Sequence, residues 1–184
     1  MKRLLLACSL FSIPLAVDAQ ADAELIQRAL AGAPASAREG AMVVKWNADH
    51  TYEVLKEGEN PWVCYDRSGE GNRPAFAVQC TSAANLARIA QNRRFAAEAA
   101  GDRHSLRAMV AEAAENGTRV PAEYGSMWLA TNGPDQASAS THVTIGVPGA
   151  TPESTGLPDS GGAGGAWLMA GGTTEAHIMV PIPR

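Results

Sequence analysis

The order of patterns along this 184-residue chain predicts an α+β fold: a largely antiparallel sheet with a short N-terminal helix and a central two-helix hairpin. Two observations carry that expectation. Short runs rich in β-branched and aromatic residues, bounded by Gly, Pro, Asn and Asp, occupy both ends of the chain. Between them, residues 82–116 are rich in Ala, Leu and Arg, and glycines at Gly101 and Gly117 supply helix stops. Helices and strands are thus segregated rather than alternating one by one, as parallel βαβ units require.

The chain begins with a pattern of export. Met1-Lys2-Arg3 is a basic start, Leu4 to Val17 is an apolar run, and Val17-Asp18-Ala19 offers a small-x-small cleavage site. Residues 1–19 are therefore expected to act as a secretory signal peptide, with Ala19-Gln20-Ala21 as the alternative site. Residues 20–184 are expected to form a single globular domain in the periplasm or outside the cell. Leu5-Leu6-Ala7-Cys8 also fits a lipoprotein box. Only four apolar residues precede Cys8, however, and the apolar run continues past it, so ordinary cleavage is expected.

Asp22 is placed to cap a short helix carrying Leu25, Ile26, Ala29 and Leu30, which Gly32 and Pro34 terminate. Three β runs follow: Met42 to Trp46, Thr51 to Leu55 and Trp62 to Tyr65, with turns at residues 47–50 and 58–61. A polar loop, Asp66 to Pro74, leads to a fourth run, Phe76 to Cys80. The hairpin then pairs Ser82 to Ala100 with Ser105 to Asn116, Asp102 capping the second helix. Beyond Pro121 come four more runs: Tyr124 to Ala130, Thr141 to Val147, Ala166 to Met169 and Ala176 to Ile182. The Gly/Pro-rich stretch 148–165 reads as a long loop, a place for disorder or a binding flap.

Charge and cysteines narrow the function classes. The net charge is −4, and loss of residues 1–19 makes it −5, which argues against a nucleic-acid partner. No run after the signal segment approaches the roughly 20 apolar residues of a membrane helix. Cys64 and Cys80 remain after cleavage, and an even pair in an exported chain predicts a disulfide. Without Cys-x-x-Cys spacing or adjacent histidines, a two-thiol metal site has no support.

Candidate chemistry is sparse. Asp159-Ser160-Gly161-Gly162 resembles the nucleophile segment of chymotrypsin-like serine proteases. Pro158, however, stands where that motif needs a glycine N–H for the oxyanion hole, and proline has none. Strand alternation is more informative. In Thr141 to Val147 and Ala176 to Ile182, the apolar residues share one face and leave His142 and His177 on the other. With Asp66, Glu123 or Glu175, the two histidines are candidates for a metal site or an acid–base pair. Trp46, Trp62, Trp128 and Trp167 all fall in β runs, as core anchors or as the lining of a ligand pocket. Residues 67–119 hold eight arginines against five acids. Arg88, Arg93, Arg94, Arg103 and Arg107 are candidates for an anion-binding patch.

The layout resembles a group of small exported bacterial proteins of unknown function. The shared elements are a helix closing on Ala33-Pro34, the segment Asn60-Pro61-Trp62-Val63-Cys64-Tyr65-Asp66, a Gly171-Gly172 turn and a closing His177-Ile178-Met179-Val180 strand. The chain departs from that pattern at Pro61, where glycine is expected, and in its longer Gly-rich insertion. The resemblance implies export and one compact domain, and assigns no catalytic residue.

The expected function is a non-enzymatic small-ligand binding or interaction module, without a cofactor. Its recognition surface would use His142, His177, Trp62, Trp128 and Trp167, and its partner would be a small ligand or an envelope protein. The alternative is a small periplasmic hydrolase or metal-dependent enzyme acting through His142 and His177.

Overall fold

The computed structural model describes residues 14–71, 73–162 and 164–181. The basic start, Cys8 and the apolar run up to Ile13 lie outside the described residues, as does Ile182 at the end of the last expected strand.

Among the described residues, eight strands form one sheet. They are β1 (Met42–Trp46), β2 (Tyr52–Lys56), β3 (Trp62–Asp66), β4 (Phe76–Ser82), β5 (Met127–Gly133), β6 (Ser140–Gly146), β7 (Trp167–Met169) and β8 (His177–Val180). Their order across the sheet is β2-β1-β3-β4-β5-β6-β8-β7. Every neighbouring pair is antiparallel except β1 with β3. The fold is therefore α+β with a largely antiparallel sheet.

The helices are α1 (Pro14–Leu30), α2 (Leu86–Glu98), α3 (Arg103–Glu115) and the short α4 (Pro152–Thr155). A 3-10 turn at Ala83–Asn85 leads into α2. Asp102 caps α3, its carboxylate accepting the N–H groups of His104 and Ser105. Asp22 does not cap α1. The helix starts upstream of it, because the alanine-rich segment before Asp22 favours helix and Pro14 fits a first helical turn. Asp22 instead lies 3.8 Å from Lys45 on β1.

Alternation along the strands assigns the two faces of the sheet. Val43, Cys64, Cys80, Leu129 and Val143 face α1 and form one core with Ala29, Leu30 and Ala33, against which Leu25 and Ile26 pack. Val44, Val63 and Tyr65 point the other way, where Ile89 and Leu86 of α2 meet them together with Trp46 and Trp128. The central strand β4 is buried on both faces from Phe76 to Thr81. Each fully buried valine here contributes about 1.5–3 kcal/mol of apolar transfer free energy.

The expected disulfide is present. Cys64 and Cys80 are direct partners in the β3–β4 ladder, and both are fully buried beneath α1. Close approach of helix to sheet there depends on Gly32. A Cβ at that position would lie 2.8 Å from Val78 Cγ2 and 3.3 Å from Cys80 Sγ.

The stretch expected as a long loop has internal structure. Thr151 and Ser154 form a reciprocal capping box at the start of α4, and Gly156 ends it with φ of 69°. Val147, Ala150, Leu168 and Ala176 are buried together, and Ile145, Leu157 and Ile178 pack on them. This small core covers the sheet at β7 and β8. Its apolar residues are single and widely spaced in a Gly/Pro background, so composition hides them. Further on, the Leu168 N–H donates to the Pro158 carbonyl at 2.8 Å, and Gly161 lies against the Trp167 ring.

Candidate functional site

Residues directly opposite one another across a sheet point to the same side. On the α2 side, one row runs Tyr65, Gln79, Ala130, His142. The next runs Trp128, Thr144, Met179, Trp167, and a third runs Gly146, His177, Met169. Trp128 and Trp167 therefore share a face, separated by two strands.

Trp62 belongs to the opposite face. It has the same parity as Cys64 and packs against the core beneath α1, so it cannot join the surface that sequence reasoning assigned to it. Asp66 also sits on that face, paired with Arg28 at 3.4 Å.

His142 and His177 lie on the same side of the sheet but do not converge. His177 is the partner of Gly146, four residues along β6 from His142. At about 3.4 Å per residue, that offset is roughly 14 Å, well beyond shared ligation of one metal ion. His142 is exposed, and His177 holds its Nδ1 2.8 Å from the Glu175 carbonyl oxygen. Glu175 is engaged by arginines, and Glu123 is exposed in the loop before β5. Among the described residues, no group of three or more His, Cys, Asp or Glu side chains is placed to hold a metal ion.

What this face does form is a groove of about 840 Å³ beneath α2. Gln79, Trp128 and Thr144 line it from the sheet, and Ile89, Asn92 and Ala96 line it from the helix. Trp128 is half-buried, so part of its indole is open to the groove. A second groove of about 1000 Å³ runs beside α1. Of its two arginines, Arg28 is already bound by Asp66 and Ser68 and stacked over Phe76, and Arg38 donates to the Ala33 carbonyl.

The two ends of the α2 groove differ in chemistry. At one end Glu175 lies between Arg88 (2.8 Å) and Arg119 (2.9 Å), whose side chains are 7% and 1% exposed. Arg88 also donates to the Val120 carbonyl, and Arg119 to Gln91 and Asn92. Burial works against ionisation of Glu175, but the hydrogen bonds and charges of Arg119 and Arg88 outweigh it and hold its pKa below the ordinary value. Burial lowers the pKa of Arg88. With one carboxylate shared by two nearly enclosed guanidiniums that also bond to Val120, Gln91 and Asn92, this cluster acts as a clamp that ties α2 to the segments before β5 and β8.

At the other end Glu70 is held by two arginines, one on each carboxylate oxygen: Arg67 through Nε at 2.7 Å, and Arg93 through Nη1. Arg67 Nη1 also donates to Gln79 Oε1 at 2.6 Å, and the Tyr65 hydroxyl donates to the same oxygen at 3.0 Å. Burial pushes the Tyr65 phenol far up, so it stays a donor. Arg93 lies over the Trp46 ring, 5.2 Å from its centroid. Arg73 also lines the groove, is exposed, and makes no side-chain hydrogen bond or ion pair among the described residues. Partial enclosure of its guanidinium by the groove and the neighbouring Arg67 both lower its pKa.

Sequence reasoning treated Asp66 to Pro74 as a connecting loop and so missed Arg67, Glu70 and Arg73. The available signal was their three-residue spacing. The Glu70 N–H donates to the Arg67 carbonyl and the Arg73 N–H to the Glu70 carbonyl, each at 3.0 Å, so two successive turns gather the three side chains. The expected arginine patch divides: Arg88 and Arg93 line the groove, whereas Arg94, Arg103 and Arg107 are exposed outside its lining. No protein-family model, curated protein sequence or solved structure matches the chain, so its own geometry carries the functional reading.

Proposed function

We propose that this protein is an exported, non-enzymatic small-ligand binding module whose ligand lies in the groove between α2 and the sheet. The observation that carries this reading is the groove itself. It combines a half-exposed indole, Trp128, with a cluster of arginines at one end, the mix of apolar wall and few polar anchors that small-molecule sites use.

Export is supported by the buried disulfide and by the N-terminal pattern, with residues 1–19 as the signal peptide and the periplasm or medium as the destination. No helix among the described residues is long and apolar enough to cross a membrane. Leu25, Ile26, Ala29 and Leu30, which fasten α1 to the sheet, all follow Ala19, so cleavage there leaves that packing in place. The intact mass of the protein recovered from the exported fraction should correspond to 165 residues beginning at Gln20. A mass that retains Met1 would overturn the cleavage reading, and absence of the protein from that fraction would overturn export.

Ligand binding is tested by tryptophan emission. A screen of small organic acids, amides and alcohols is expected to yield compounds that change the emission saturably, and Trp128→Phe should remove most of that change. A response that persists undiminished in Trp128→Phe, or no response to any compound, counts against the groove as a binding site.

A further inference from the structure

The ligand class follows from the charge balance at the Glu70 end, and this step rests on the binding reading above. We infer that the groove takes an organic acid: a carboxylate held at Arg73, in the cationic end of the groove, with a flat apolar body lying on Trp128.

Three guanidiniums, Arg67, Arg73 and Arg93, meet there with one carboxylate, Glu70, an excess of two positive charges in a chain whose net charge is −4. Glu70 is fully engaged, because each of its oxygens already accepts from an arginine. One donor group remains open to the groove: the Arg73 guanidinium is exposed and makes no hydrogen bond among the described residues. Arg93 Nε has no hydrogen-bond partner either, but it is buried. The Arg88 end offers nothing comparable, because its guanidinium is occupied by Glu175, Val120 and Thr174.

The apolar floor selects among anions. A guanidinium fork accepts carboxylate and phosphate alike, so the charge alone does not favour an organic acid, and the surface beside it does. Away from this end the floor changes from Gln79 to the Trp128 indole, two residues along β5 from Ala130, the partner of Gln79. The step from Gln79 to Trp128 is about 8 Å, from ~3.4 Å per residue and ~4.8 Å between strands. Ile89 and Ala96 of α2 close over that floor. An anion with no apolar part would leave the indole uncovered, and an uncharged ligand would leave the cationic excess uncompensated.

The test is calorimetric titration of the intact protein with 2-naphthylacetate, with its uncharged amide 2-naphthylacetamide, and with inorganic phosphate. The acid is expected to bind with an affinity that falls as salt rises, and the amide at least about tenfold more weakly. Arg73→Gln should weaken the acid by about tenfold or more, the loss of one charge-assisted contact. Arg73 is exposed, so the thermal midpoint of that variant should match the parent. Equal binding of acid and amide, or an Arg73→Gln variant that binds the acid as well as the parent, overturns the inference and leaves the groove as a site for uncharged ligands. Phosphate binding without naphthylacetate binding overturns the apolar part. Failure of the acid and phosphate alike overturns the anionic site, and the Trp128 emission screen then decides whether the groove binds anything.

Discussion

Replacing Glu175 with glutamine is expected to lower the free energy of unfolding by about 3 kcal/mol. The carboxylate is the shared counter-charge for Arg119 and Arg88, which are 1% and 7% exposed. Glutamine keeps an acceptor oxygen but no charge, so two buried guanidiniums would face each other across a neutral amide. The expected loss sits at the low end for a broken buried pair because the Glu175 side chain is itself 35% exposed and water screens part of the interaction. Denaturant unfolding reads the effect as a lower midpoint with an unchanged slope.

The same substitution has a pH signature. The folded pKa of Glu175 is depressed below the ordinary 4.5. Its stabilisation is therefore fully present above pH 4.5 and is lost as the pH falls through the lower folded value. In Glu175→Gln this part of the acid dependence should disappear. A variant as stable as the parent at neutral pH, with an unchanged acid limb, would show that the clamp carries no net energy.

Removing the disulfide is expected to have an effect of similar size. The bonded cysteines are 16 residues apart in sequence, and closing a loop of that length restricts the unfolded chain by about 3 kcal/mol. Cys64→Ala with Cys80→Ala should lower the thermal midpoint by about 6–12 °C. Both sulfurs are fully buried beneath α1, so the folded protein should also resist mild reductant until it opens. Rapid reduction under native conditions, or a midpoint unchanged in the double variant, would argue that the cross-link adds nothing to the ladder around it.

The strands were legible because their side chains alternate. Each of the eight expected runs overlaps an observed strand, although several ends moved. The run expected from Tyr124 begins at Met127 and extends to Gly133. Gly125, at φ of 81°, and the Ser126 N–H bonded to Glu123 make a turn first. Alternation also placed His142 and His177 on one side of the sheet, but pairing register decides distance, and register is not written in either strand alone.

Trp62 was misplaced for a different reason. Grouping the tryptophans by residue type ignored the parity that Trp62 shares with Cys64, although the sequence displays it. The Glu70 cluster was harder to see, because a polar loop has no periodicity to read and its arginines acquire meaning only when α2 brings Arg93 to them. Likewise Arg119 entered the sequence reading only as one of eight arginines over residues 67–119, yet its side chain is almost completely enclosed.

Strand order across the sheet departs from chain order in only two places, where β2 lies outside β1 and β7 lies outside β8. A chain that emerges from its N-terminus therefore meets most of its partners already made. Such nearest-neighbour growth shortens the loops that must close and speeds folding. Strands β1 to β4 and the disulfide all lie at or before Ser82, whereas Trp128, Thr144 and His177 arrive on later strands. The cross-link thus lies wholly within the first half of the chain, whereas the groove needs strands from both halves.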